Sequence, residues 1–190
     1  MRLVRLTILL LVAAACQACL VVTLHPVYDP DSIAFEPALV GTWLSDEDNV
    51  SVTFERAEWH SYHLMLDDGG KITRLSARLT RLGDNLLLLD LTPLDGTDIP
   101  PLQLSVHAVF RMTMAEDALS IASLDYDHFY GMAKAGTTAA GLVLDARQNA
   151  VLTAPTDDLR HWLLAHAGDE GLFAAPVSLK RKAVAASPSQ

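Results

Sequence analysis

The sequence predicts a mainly β chain: an antiparallel meander of short strands that curls into a barrel or packs as a sandwich. Three observations carry that expectation. Apolar and polar residues alternate with a period of two through the middle of the chain. Clusters of Asp, Gly and Asn interrupt the alternation at short intervals, as hairpin turns do. Helical spacing is confined to two short stretches near the C-terminal third. At 190 residues, 51% of them hydrophobic, the chain can bury one substantial core, and two full domains would be cramped.

The first elements read as an address rather than as fold. Met1 to Arg5 is a short positive start, and Leu6 to Ala15 is an uncharged apolar run followed by small residues, the layout of a secretory signal peptide. Counted on through Gln17 to Leu24, the run approaches the roughly 20 residues that cross a bilayer, so an uncleaved anchor stays open as an alternative. The chain's two cysteines, Cys16 and Cys19, follow directly. A redox dithiol needs the start of a helix in a folded domain, and a zinc site needs a second pair. Neither requirement is met here. Val12-Ala13-Ala14-Ala15-Cys16 resembles the lipobox of bacterial lipoproteins, with Ala13 where Leu is usual. That resemblance implies lipid on Cys16; Cys19, preceded by Cys16-Gln17-Ala18, is the alternative. Residues 1–19 are therefore expected to form a signal peptide with lipobox.

Residues 20–37 contain Pro26, Pro30 and Pro37 with Asp29, Asp31 and Glu36 and no sustained period, which suits an extended tether. The domain is expected over 38–178. Leu39 to Leu44 opens it. Val50, Val52 and Phe54 share one face of the next strand, and Tyr62, Leu64 and Leu66 one face of the strand after it, which ends in Asp67-Asp68-Gly69-Gly70. Leu75, Ala77 and Leu79 oppose Arg74, Ser76, Arg78 and Thr80. Gly83-Asp84-Asn85 is a second turn before the continuously apolar Leu86 to Leu91. Val106, Ala108, Phe110, Met112 and Met114 alternate next, and Leu119 to Leu124 completes seven strands. Asp125–Gly136 is expected to be a short helix ended by Gly136. Residues 139–154 offer one or two further strands. Thr156–Gly168 is the strongest helix: Thr156 as N-cap, Asp157 and Asp158 in the first turn, and Leu159, Trp162, Leu163 and Ala167 in one stripe. Residues 179–190, with Lys180-Arg181-Lys182, read as a disordered, solubilising tail.

Gly41-Thr42-Trp43 at the start of the first strand resembles the Gly-x-Trp signature of lipocalins and related calycins. Asp125-Tyr126 after the seventh strand is similar to that family's Thr-Asp-Tyr motif, with Leu124 where Thr is expected. The resemblance implies a lipocalin-like barrel or half-barrel, with Gly41 letting the chain bend, Trp43 plugging the barrel floor and the C-terminal helix packed outside. An eighth strand has no convincing match, and Arg147 is a candidate for the arginine that covers the tryptophan. From Leu24-His25-Pro26 through Gly41-Thr42-Trp43, and over most of the mature chain, the sequence also looks like a group of uncharacterised bacterial lipoproteins, a likeness that implies no activity.

The chain carries 23 acidic and 14 basic residues, a formal charge of −9, and loss of Arg2 and Arg5 makes the remainder more acidic still. Such a body repels nucleic acid and anionic headgroups. His60 and His63 fall on opposite faces of a strand, and His161 and His166 are about 140° apart on a helix, so no metal-ligand spacing is formed. Gly-x-Ser-x-Gly and glycine-rich phosphate loops are absent. Asp125, Asp127 and His128 are the one acid–base candidate, although Asp at a strand exit more often caps a helix. No cofactor, metal or catalytic residue is expected. The leading function is a lipid-anchored envelope lipoprotein holding a small apolar ligand, with Trp43, Val52, Phe54, Leu64, Leu66 and Phe110 as pocket candidates. The alternative is a structural or interaction lipoprotein whose barrel is filled and whose outer surface meets an envelope protein. Neither Gln17 nor Leu20, the residues after the two cysteines, is the Asp of inner-membrane retention. The expected address is therefore the outer membrane, facing the periplasm.

Overall fold

The computed structural model describes residues 20–45, 50–94 and 105–183. Its centre is the predicted meander: β3 (Gly41–Ser45), β4 (Val50–Arg56), β5 (Tyr62–Asp68), β6 (Lys71–Leu82), β7 (Leu86–Pro93), β8 (Ala108–Met114) and β9 (Ala118–Ser123). Each pairs antiparallel with the next. Closure comes from β12 (Val177–Arg181), which inserts between β9 and β3 and pairs antiparallel with both. The result is a closed, eight-stranded antiparallel barrel of lipocalin-like form, neither a sandwich nor a half-barrel.

Turn chemistry fixes the register. Asp68 pairs with Lys71 across a two-residue turn in which Gly69 and Gly70 have φ of +59° and +97°. That backbone belongs to the hairpin turn whose twist matches the strands, and glycine reaches it without a Cβ penalty. Along β7 the leucine run loses its alternation because both faces are covered. Leu87 and Leu89 point into the barrel, while Leu86 and Leu88 point into a second core outside it.

That second core lies between the barrel wall and an outer layer. The layer comprises β1 (Val21–Thr23), α1 (Tyr126–Lys134), β10 (Leu142–Leu144), β11 (Ala150–Leu152) and α2 (Thr156–His166). β11 pairs parallel with β1 and antiparallel with β10. Phe129 of α1 and Leu159 and Leu163 of α2 are fully buried against Leu88, Leu124 and Leu152. The stripe predicted on α2 is therefore its packing face. Thr156 is the first helical residue rather than the cap: Pro155 holds that position and makes no side-chain capping bond.

Two expectations are corrected. Residues 20–37 are not a free tether: β1 joins the outer sheet, β2 (Ile33–Ala34) pairs with β6, and Val27 is fully buried. The chain pays the entropy of ordering this segment because it covers apolar wall that would otherwise face water. The folded body also runs past residue 178, since Leu179, Lys180 and Arg181 belong to β12 and Leu179 is buried inside the barrel. The expected helix outside the barrel is α2, and it precedes the closing strand.

Candidate functional site

The barrel interior divides along its axis. At the end where β3 begins, Trp43, Phe54 and Tyr62 are fully buried and pack with Leu79, Met112 and Leu119. A 3₁₀ turn, Pro37–Leu39, crosses this end. The Trp43 indole N–H donates to the Leu39 carbonyl at 2.9 Å, and the Tyr62 hydroxyl accepts from the Glu36 N–H at 2.7 Å. Burial pushes the Tyr62 phenol above its ordinary value, partly offset by the backbone hydrogen bond to Glu36.

The arginine over the tryptophan is Arg181, with its guanidinium carbon 4.2 Å from the Trp43 ring centroid. It also donates to the carbonyls of Val40, at 3.2 Å, and Ala38. Arg147 has another role altogether: it sits in the exposed β10–β11 turn, where its N–H donates to Asp145. Asp145 also accepts from Asn149, and these bonds hold its carboxyl below the ordinary carboxylate value. Gly41 suits this position by its backbone and by its lack of a side chain. Its φ is +129°, and a Cβ there would lie 3.1 Å from the Arg181 guanidinium.

Towards the other end the inward positions stay mostly apolar, the large aromatic plug is missing, and the lumen opens into a cavity of about 300 Å³. Val52, Leu64, Leu66 and Phe110 line it, joined by Leu75, Leu89 and Ile121 from the same faces of neighbouring strands. Trp43 and Phe54, grouped with them on the sequence, belong instead to the packed end. Polar lining residues such as Asp68, Thr73 and Ser123 lie at strand ends around the mouth. Leu20 and Val22 also border the cavity. The wall is hydrogen-bonded all round, so a segment outside it reaches the lumen only over an end. The first end is filled, which puts Leu20 and Val22 at the open one.

A buried carboxylate–imidazole pair escaped the sequence. Asp90, on the outer face of β7, is 2% exposed. One of its oxygens lies 2.6 Å from His107 Nδ1 and the other accepts the Val27 N–H at 2.9 Å. The His107 backbone exchanges both hydrogen bonds with Thr23 at 2.9 Å. Tyr28 packs its edge on the His107 ring, with Arg78 over its own face. Burial is the main reason that the Tyr28 phenol is raised, and Arg78 opposes it. Arg160 of α2 reaches the same segment, donating to the Val27 carbonyl at 3.0 Å and the Ser32 hydroxyl at 2.7 Å. Together these bonds pin residues 23–32 to the barrel.

Asp125 caps α1, accepting the His128 N–H at 2.8 Å, so its carboxylate serves the helix terminus. His161 and His166 each donate to a backbone carbonyl one helical turn back, on Asp157 and Trp162. Among the described residues no group of His, Cys, Asp and Glu could hold a metal ion, and no helix is long and apolar enough to cross a membrane. Cys16 and Cys19 lie outside the described residues. The chain matches no family model, no curated protein and no solved structure.

Proposed function

We propose that this protein is a lipid-anchored lipoprotein of the cell envelope, exported and held in the outer membrane facing the periplasm, whose barrel binds a small apolar ligand. The carrying observation is the asymmetry of the lumen. One end is packed to full burial around Trp43, while the other leaves about 300 Å³ empty between Leu64, Leu66, Leu89 and Phe110. A core meant only for stability closes such a space, because unfilled apolar volume forfeits contacts. The lining is hydrocarbon with polar groups only near the mouth, which suits an acyl chain whose polar head stays in water. The anchor is supported by the lipobox-like run ending at Cys16, with Cys19 as the alternative.

Two measurements test this reading. Mass spectrometry of the native protein extracted in detergent is expected to find acyl chains on Cys16 or Cys19; an unmodified, uncleaved N-terminus overturns the anchor. The chain from Leu20 onward is expected to bind a fluorescent fatty acid, and Ala108→Phe, which fills the lumen, is expected to abolish that binding. The second reading, an interaction lipoprotein with a filled barrel, draws on the cavity volume of about 300 Å³, the lower limit of ligand sites. It prevails if the wild-type chain binds no fatty acid.

A further inference from the structure

We propose that the barrel stands mouth-down on the bilayer that holds its anchor, so that a membrane acyl chain passes into the cavity without crossing water. The inference rests on the lipoprotein reading above and adds an orientation to it. Ordinary lipid tethers let a domain tumble above the membrane; here the folded body begins at the mouth itself. Leu20 and Val22 border the cavity, and Val21 to Thr23 are fixed by pairing with Ala150 to Leu152. The Asp90–His107 pair and Arg160 then hold the chain that follows.

The distance available is short. Cys19 is the residue next to Leu20, and Cys16 is four residues away, a fully extended reach of at most about 14 Å. From either cysteine the lipid enters the bilayer beside the open end. Ile72, the residue after Lys71 at the start of β6, is 48% exposed on that rim. Trp59, in the β4–β5 connection at the packed end, is 86% exposed and points away. β4 alone separates the two levels by seven residues, roughly 20 Å of strand. Mouth-down attachment would bury the first and leave the second in water.

The test uses the full mature lipoprotein, acylated and reconstituted into phosphatidylcholine vesicles whose acyl chains carry bromine, a contact quencher of tryptophan. Emission added by Ile72→Trp is expected to be quenched several-fold more than the emission lost on Trp59→Phe. Lys71→Trp, at the first residue of β6, gives an independent reporter with the same expectation. Inserting about 12 Gly/Ser residues between Cys19 and Leu20, a flexible span of about 19 Å, is expected to bring quenching at Ile72 down to the Trp59 level. With the N-terminus shown by mass spectrometry to be acylated, equal quenching at both ends, or stronger quenching of Trp59, overturns the orientation while leaving the anchor intact. An N-terminus without acyl chains overturns both.

Discussion

The two ends of the barrel are built from the same eight strands and the same alternation, yet one is solid and the other hollow. Among the described residues, the difference lies in side-chain volume and in what lies across the opening. The solid end places Trp43, Phe54, Tyr62 and Met112 on inward positions and spans them with Pro37–Leu39. The hollow end has Val50, Thr73, Ala108 and Val177 among its lining residues, beside Leu66 and Phe110, and a cavity of about 300 Å³ is left between them. Period decides which residues face inward, and size decides whether they meet.

That contrast can be broken at several points. Trp43→Ala should have the largest effect, since it empties the centre of the solid end; a loss of about 3–5 kcal/mol is expected in denaturant unfolding. Arg181→Met should cost about 1–2 kcal/mol by removing a cation from the indole face and donors from two carbonyls. Gly41→Ala, which forces a side chain into a left-handed backbone against the same guanidinium, should cost about 1–3 kcal/mol.

Tyr62→Phe should cost about 1 kcal/mol at neutral pH and should also alter alkaline behaviour. The folded phenol is raised above its ordinary value, so the unfolded chain releases that proton first as pH climbs. The stabilisation is therefore present below about pH 10 and is lost as pH rises through the folded value. Urea titrations from pH 8 upward should show a steeper decline for the wild type than for the variant. Ala108→Phe should change stability least, by under about 1 kcal/mol, because the added ring enters space already empty. A large loss there would mean that the hollow end is packed after all.

Much of this contrast is legible in the sequence. The alternations Val50-Val52-Phe54 and Tyr62-Leu64-Leu66 mark inward faces without reference to any partner strand, and Gly69-Gly70 marks its hairpin. Gly41-Thr42-Trp43 marks the packed end. What escapes is whatever depends on distant pairing. β12 shows only Val177 and Leu179 on its inner face and runs straight into basic residues, so it reads as a tail; its partners are Trp43 to Ser45 and Ala118 to Ile121. β1 is hidden at the end of the apolar N-terminal run, and its partner, β11, is more than a hundred residues on. Asp90 and His107 are 17 residues apart on a strand and the approach to its neighbour, a separation with no local signature. Asp125 and His128 do have one, yet that spacing builds a helix cap. Between Trp43 and Val52 as pocket residues, alternation makes no distinction; depth along the barrel axis does.

The order in which the barrel closes has a consequence for how it is made. A chain synthesised from its N-terminus completes β3 to β9 long before β12 exists. Until then, the sheet has two open edges, β3 and β9, each with backbone groups able to template another strand. The outer layer can assemble on the finished wall of β7 and β8 meanwhile, since its own strands pair among themselves. Only when residues 177–181 arrive do both edges disappear together, in a single pairing step of high contact order. The protein is thus most exposed to self-association in the interval before β12 pairs, and a chaperone that shields strand edges would act then.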